Sequence, residues 1–576
     1  MKKDKHDKKK TEQGREEEEE YQEWSSPLEF LLSCASISLG LGIVWRFPTT
    51  ALENGSGAFL FPYIIVLFSI SRPLYFLELA IGQFSSSNCT KVWRMVPPFK
   101  GIGYVQVFVC YCVLTYFASL AAVMLFYLVM SFSKVLPWSV CDDVWADENC
   151  VGASSTNVTY TDNLQSSSEQ YYYRYVLRIK EDISDGIGPP EWRLALCLLL
   201  FWVLLFFTVA WGIKSSGKVA YFTALFPYVV LVMLLIRGVT LPGAIDGVLY
   251  FVTPEWQKLL DPTVWYAAIT QSFFSLTLGF GPVVIFGSYN TFSQNVYRDA
   301  WIISLLSIIS SLLNGFATFA VLGNLASELK TDIKDVVHGR ETNLIFILYP
   351  QALAKFTEAP QVFAVLFFLM VTTLGFGMAT GAVTTLLAVV SDLFPSVRKI
   401  YITLSIVVSA YLIGLVYITP GGQGILALVD YFTGGIIVFL AVIFEILAIN
   451  FIYGFRLLFR DLRFMLGFEV DLFTKICLVV ITPISLFVIF VYSVAVSQLP
   501  TYRGNAYPQS AYMCGWMLAG VAVSAVPICF VHTLYHTPGD TLVQKLQGAF
   551  QPKDSWGPKR THDRNRWKGQ NDSLPH

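Results

Sequence analysis

Two apolar stretches of this chain carry glycines and a proline where a helix would otherwise run on. The first reads Ser36-Ile-Ser-Leu-Gly-Leu-Gly-Ile-Val-Trp-Arg46-Phe-Pro48, and the second Ser272-Phe-Phe-Ser-Leu-Thr-Leu-Gly-Phe-Gly-Pro282. Backbone that leaves the helix inside a bilayer must satisfy its freed N–H and C=O groups on protein, water or a ligand. Half-helix N-termini offer N–H donors and a positive dipole end to a carboxylate. Freed carbonyls are oxygen donors for a hard cation. The chemistry these residues predict is reversible binding of small charged species, with no bond made or broken. Interrupted spans in corresponding positions of two halves point to the midplane site of a secondary transporter.

The elements that must position these breaks are membrane helices. Of the 576 residues, 54% are hydrophobic and 14% charged, and the mean hydropathy is +0.55. Soluble domains carry about 25% charged residues, so the composition predicts an all-α polytopic membrane protein. Apolar stretches of about 20 residues give about twelve transmembrane helices. They begin near Leu28, Phe59, Val105, Leu194, Val219, Trp265, Trp301, Val362, Ile400, Leu428, Ile476 and Tyr512, and are numbered as spans in that order.

Orientation follows the placement of Lys and Arg rather than net charge. Basic residues crowd the tail before span 1, recur at Lys91, Arg94, Lys100, Lys214, Lys218, Arg298, Arg398 and Lys399, and return after Leu534. Both termini are therefore expected in the cytoplasm of a multi-pass plasma-membrane protein. The expected organisation is a disordered cytoplasmic tail over 1–24, a transporter domain over 25–533 and a cytoplasmic carboxyl tail over 534–576. That basic tail reads as disordered and solvated. No cleavable signal peptide is expected before span 1. A polar loop over 133–192, expected to be extracellular, holds Cys141 and Cys150, which are expected to form a disulfide in an oxidising compartment. It also holds Asn157-Val-Thr159, a glycan acceptor. Asn88-Cys-Thr90 fits the same pattern, but the topology places it inside.

Other patterns are decoys. Gly212-Ile-Lys-Ser-Ser-Gly-Lys218 has phosphate-loop spacing, yet Val219 stands where a magnesium-holding hydroxyl is needed, and no strand precedes it. The six histidines lack metal-ligand spacing. Neither an enzyme, an organic cofactor nor a nucleic-acid partner is expected.

The first break continues into Arg46-Phe-Pro and Glu53-Asn-Gly-Ser-Gly-Ala-Phe-Leu-Phe-Pro-Tyr63. Together with Glu78-Leu-Ala-Ile-Gly-Gln83, Gly212 to Lys218 and Ser272 to Pro282, this resembles the neurotransmitter:sodium symporter family from about Trp24 to about Val531. Within it the chain looks most like the insect sodium-dependent nutrient amino acid transporters, as a divergent member. Arg72 before Pro73 and a Gly375-Phe-Gly377 turn in span 8 fit that subgroup. The resemblance implies an inverted-repeat fold of five plus five spans with two more, and broken helices 1 and 6. It implies alternating access coupled to sodium, and often to chloride.

Carried over position by position, the substrate residues are Gly40, Gly42, Val113, Phe117, Phe274, Thr277, Phe280, Met378 and Ala382. Gly40 is the informative one: amine-carrying members have an Asp there, whereas Gly leaves space for a substrate's own carboxylate. The substrate is therefore expected to be a neutral amino acid, which one being left open. Arg46 and Asp430 match a gate pair. Glu78 matches a carboxylate bracing the breaks, and intramembrane acids are costly enough that a role is the default. Tyr63, Gln271, Ser275 and Ser311 match a chloride site.

The implied sodium sites are depleted. The first keeps Ser38 backbone and the Ser275 hydroxyl, but Ile43 and Ser307 replace two Asn side chains. The second keeps backbone from Ser36, Leu39 and Leu374, but Gly377 and Met378 replace oxygen-bearing side chains, and a thioether is a poor ligand for a hard cation. Phe117 also lacks the hydroxyl that would hold the substrate carboxylate. Each lost ligand is expected to cost on the order of 1.5–3 kcal/mol, or roughly ten- to a hundredfold in affinity. Two classes of function remain at this point: an amino acid transporter with weakened sodium coupling, and a non-transporting or channel-like member acting as a partner or regulatory protein. The sequence leaves oligomeric state open.

Overall fold

The computed structural model describes residues 23–38, 40, 42–153, 164–180, 186–333, 345–356, 359–496, 499–502 and 505–572. Among the described residues, 10 helices are long and apolar enough to cross a membrane, and the bent pair Pro27–Ser38 and Gly42–Glu53 makes 11. That pair is span 1. Gly57–Ser85 is span 2, Pro97–Met130 span 3, Trp192–Val209 span 4 and Ser215–Val239 span 5. Val296–Glu328 is span 7, Pro360–Leu393 span 8, Lys399–Tyr417 span 9, Gly422–Leu466 span 10, Leu472–Val496 span 11 and Gln509–His536 span 12. Span 6 is split into Pro262–Leu276 and Pro282–Ser288, each half too short to cross alone. The expected count is reached, with spans 1 and 6 broken.

The break in span 6 is written in its backbone angles. Thr277 adopts φ 55°, Gly279 φ 77° and Gly281 φ 96°, and Pro282 then opens the second half-helix. At Gly279 a side chain is excluded twice over, because a Cβ would also lie 2.5 Å from Val442 Cγ2 of span 10. The apolar surface faces outward, as a bilayer demands. On span 11, Val480, Ile484, Phe487 and Val491 form an exposed stripe at helical spacing. The buried interior instead collects hydroxyls and amides from spans 1, 2, 6 and 7. Span 3 packs along span 8, the second half of span 6 on span 2, and the first half of span 1 on span 5.

Several expectations are corrected. Span 8 shows no turn at Gly375-Phe-Gly377: the helix runs unbroken over Pro360–Leu393. Gly377 serves packing instead, since a Cβ there would lie 2.1 Å from Ser36 Oγ. Span 12 reaches His536, past the boundary at 533. The carboxyl tail is ordered, with helices Leu542–Phe550 and Thr561–Asp572. Trp556 is buried against Phe84 and donates to Tyr453 OH (3.0 Å), and Trp567 Nε1 donates to Asp461 Oδ1 (2.8 Å). Two tryptophans supply the apolar area and the polar handle that the surrounding run of charges conceals. At the other end Trp24, placed by the sequence in the disordered tail, is buried on Phe286 and donates to its carbonyl (3.0 Å).

The long loop between spans 3 and 4 marks one end of the bundle. Cys141 and Cys150 are disulfide-bonded, with Cα atoms 6.1 Å apart. Trp138 anchors the loop, buried between Tyr127 of span 3 (5.2 Å between ring centroids) and Phe368 of span 8 (5.7 Å). Gln170, donating to Asp147 Oδ1, and then Arg174 hold the Asp147 carboxyl below its ordinary value. Asn157 lies outside the described residues. Asn88 is buried, with its amide bonded to Asp392, and so offers no surface for a glycan.

Candidate functional site at the two helix breaks

Spans 3, 6 and 8 meet the first span around a small apolar cavity of ≈ 20 Å3, lined by Val113, Phe117, Thr277, Phe280, Met378 and Ala382 together with Ile37. That is space for about one water. Phe274 closes the side towards the long loop, its ring 5.5 Å from that of Phe280. Met378 folds over Gly40, with Sδ 3.0 Å from where a Cβ on Gly40 would stand. Gly42 faces Phe274, and its carbonyl accepts from Gln271 Nε2 (3.1 Å). All nine substrate positions are thus gathered around the breaks. No carboxylate lines this cavity, and the Thr277 hydroxyl is buried without a hydrogen-bond partner among the described residues.

Above the cavity, Arg46 Nη1 lies 3.7 Å from Asp430 Oδ2, and its guanidinium stacks 4.1 Å over Phe274. Tyr116 OH donates to Asp430 Oδ1 (2.7 Å) and fixes the acid's rotamer. Sequence reasoning missed this tyrosine, having weighed only its neighbour Phe117. The pair is partly exposed to a vestibule of ≈ 800 Å3 that Tyr502 also lines, at the end carrying the long loop. Solvent screening keeps such a pair weak.

Three of the four chloride positions come together. Tyr63 OH is hydrogen-bonded to Ser275 Oγ (3.3 Å) and Ser311 Oγ (3.0 Å), and Ser275 is bonded in turn to Ser307. All four are buried, and hydroxyls can turn their protons towards an anion. Gln271 does not join them: it reaches back to Gly42, and its Oε1 has no partner among the described residues.

The cation positions divide. Ile43 is buried and brings no oxygen, and Ser307 spends its hydroxyl on Ser275. Asn314, missed in the sequence, takes the backbone nearby: its Nδ2 donates to Ile43 O (2.9 Å) and Val44 O (3.3 Å), while its Oδ1 stays unpartnered among the described residues. Its signal was legible, since Asn314 lies two helical turns past Ser307 on the same face of span 7. Ser38 and Leu374 are buried beside the break, and Leu39 lies outside the described residues. Glu78 Oε1 accepts from Gly279 N (2.9 Å), bracing the second break directly. A further buried acid, Glu445 of span 10, neighbours it and accepts from Gln106 (2.8 Å).

Two broken spans that enclose a small pocket, each braced by charged or amide side chains, define a membrane transporter of the secondary class. Residues 21–537 match the family described as SNF: Sodium:neurotransmitter symporter family. This chain belongs to that family. It is 46% identical over 562 residues to "Sodium-dependent nutrient amino acid transporter 1" of Drosophila pseudoobscura pseudoobscura, covering 94% of this chain and 86% of the relative. It is 44% identical over 569 residues to the protein of that name from Drosophila melanogaster (94% and 88%), and 44% over 581 residues to that from Drosophila virilis (96% and 90%).

Proposed function

We propose that this chain carries neutral amino acids across the plasma membrane by alternating access, as a symporter whose first sodium site is depleted, with both termini cytoplasmic. The single observation that carries the substrate class is Gly40 in a pocket without any acid. An amine lacking a carboxylate would find no counter-charge there, whereas an amino acid brings its own anion to the half-helix N-termini at the breaks. The printed names of the relatives agree with this reading. Phe117 has no hydroxyl to hold that carboxylate, so backbone N–H groups and a bound cation would have to do so. The cluster of Tyr63, Ser275, Ser307 and Ser311 fits chloride, because it offers several hydroxyl donors. On this orientation the long loop is extracellular and Asn157 is a glycan acceptor.

The test is uptake of labelled neutral amino acids in cells expressing the full chain, in sodium and in choline medium. Saturable, sodium-stimulated uptake is expected. Gly40→Asp should abolish amino acid binding, by charge repulsion and by filling the pocket where Met378 already sits 3.0 Å from a Cβ. Silence despite surface expression, or unchanged amino acid affinity in Gly40→Asp, would overturn the reading.

A further inference from the structure

Arg72 of span 2 stands where a charge is costly. It is 0% exposed, and it meets spans 7 and 11 near the residues where they begin. Its guanidinium stacks 4.0 Å over the Trp301 ring and 5.8 Å from that of Phe473, and Nη2 donates to Thr474 Oγ1 (2.8 Å). Nε and Nη1 have no partner among the described residues. Arginine keeps its charge even inside a protein, so burial leaves those N–H groups in want of an acceptor. Aromatic faces lower the cost of the charge, but they do not take hydrogen bonds from the edge of the guanidinium. The carboxylate of Asp471, three residues before Thr474, does not fill the need. It accepts from Tyr297 OH and from Thr474 N (3.0 Å), and Arg72 forms no ion pair among the described residues. A buried cation without a counter-charge is an expensive arrangement unless an anion binds there.

The surroundings say which kind of anion. Phe473, the ring on one side of the guanidinium, is itself 50% exposed on the outside of the bundle, so the site borders the bilayer. Helical spacing carries the same three faces towards the membrane interior. Ile65 lies two turns before Arg72 on span 2, Leu305 one turn past Trp301 on span 7, and Val480 two turns past Phe473 on span 11, and all three are exposed. A cation at the level where two spans begin, with apolar stripes leading away from it, matches an amphiphile that has an anionic head and acyl chains. Lys475 adds positive charge beside it, since Lys475 and Arg463 share the single carboxylate of Glu469 (3.7 and 2.8 Å). A phosphodiester is the fitting head, because its oxygens accept charge-assisted hydrogen bonds from arginine N–H groups.

We infer that Arg72 holds the phosphate of an anionic phospholipid whose acyl chains lie along spans 2, 7 and 11. On the orientation proposed above this lipid belongs to the cytoplasmic leaflet, but its binding can be measured without transport. Full-length protein purified in detergent is melted with increasing phosphatidylserine, phosphatidylcholine or glycerol phosphate at constant salt. Saturable stabilisation by phosphatidylserine is expected, weaker stabilisation by the zwitterionic lipid, and none by glycerol phosphate, which has no acyl chains. Arg72→Gln should raise the half-saturating phosphatidylserine concentration on the order of tenfold, and Arg72→Lys should recover part of the loss. Should Arg72→Gln fail to fold, Phe473→Glu carries the test. It sets a carboxylate beside the guanidinium at a half-exposed position and should abolish the response to phosphatidylserine. Equal stabilisation by the two lipids, or an unaltered midpoint in these variants, would mean that lipid only covers the apolar faces and that Arg72 does not bind it. An equal response to glycerol phosphate would make this a site for a free anion. No response to any of the three would mean that the rings and water satisfy Arg72. Each of these results would overturn the inference.

Discussion

At the scale of single residues, the cation positions implied by the resemblance differ from their pattern at Ile43, Ser307, Gly377 and Met378. Ile43 and Gly377 each lack an oxygen that the family resemblance places there; beside them, Asn314 Nδ2 donates to the Ile43 carbonyl, and Ser36 Oγ, packed against Gly377, bonds the Thr223 hydroxyl. A prediction follows for Gly377→Ala. Its methyl group would stand 2.1 Å from Ser36 Oγ and force that hydroxyl off Thr223. The half-saturating sodium concentration for uptake should rise on the order of tenfold, at a stability cost of about 1–3 kcal/mol for the overpacking. A sodium titration of uptake reads the first effect, and an unchanged midpoint would remove Ser36 Oγ from the ligand set. The first cation position can be tested in the opposite direction. Ile43→Asn with Ser307→Asn returns two amide oxygens beside Ser275 and should lower the sodium requirement roughly tenfold or more. A rise would mean that the buried pocket around Ile43 has closed on its apolar side chain and cannot accept an amide.

At the scale of elements, the ends of the chain behave differently from what their charge implies. Trp556 and Trp567 fasten the carboxyl tail to Phe84, Tyr453 and Asp461. Burying a tryptophan is commonly worth about 3–5 kcal/mol relative to alanine. Trp556→Ala should therefore free this segment and speed tryptic cleavage after Lys559 and Arg560 by tenfold or more in purified protein. An unaltered cleavage rate would show that the docking is not held by this ring. The broken helices, by contrast, were legible in the sequence, because Gly279, Gly281 and Pro282 encode left-handed backbone and a helix restart by local chemistry alone. The tail was not, since its run of Lys and Arg reads as solvated and nothing local says that two tryptophans find Tyr453 and Asp461 on a distant element. The same limit applies within the site. Gly40, Phe274 and Tyr63 were readable from a contiguous motif, and Asn314 from its register with Ser307 on span 7, whereas the Thr223 hydroxyl matters only through the helix it faces. Span 8 shows the converse error: two glycines that read as a turn lie in unbroken helix, and Ser36 of span 1 packs against Gly377.

At the scale of the whole molecule, the vestibule of ≈ 800 Å3 beside Arg46 and Asp430 and a cavity of ≈ 440 Å3 at the opposite end, bordered by Lys91 and Lys399, are separated by the small pocket at the breaks. Alternating access then consists of opening one side or the other around that pocket. What drives the cycle depends on how many cations bind. The position beside Ile43 and Ser307 has lost side-chain oxygens without a replacement aimed into it, because Asn314 turns its N–H to the carbonyls and Ser307 bonds Ser275. The cavity between spans 1 and 5 is lined by hydroxyls of Ser33, Ser36, Ser216, Thr223 and Thr380. With the first position depleted, coupling to a single sodium ion per cycle is the expected outcome, and uptake measurements check it. A single sodium ion contributes about 1.4 kcal/mol per tenfold concentration difference and about 2.3 kcal/mol per 100 mV, before any opposing charge carried by chloride. Native uptake should therefore rise hyperbolically with sodium, with a Hill coefficient of about 1. Adding Ile43→Asn and Ser307→Asn together should restore a second site and make the curve sigmoidal. Uptake into cells measured across a sodium series at fixed chloride distinguishes these cases. A native curve that is already steeply sigmoidal would mean that water or further carbonyls complete the first site despite Ile43, and the count of one would be wrong.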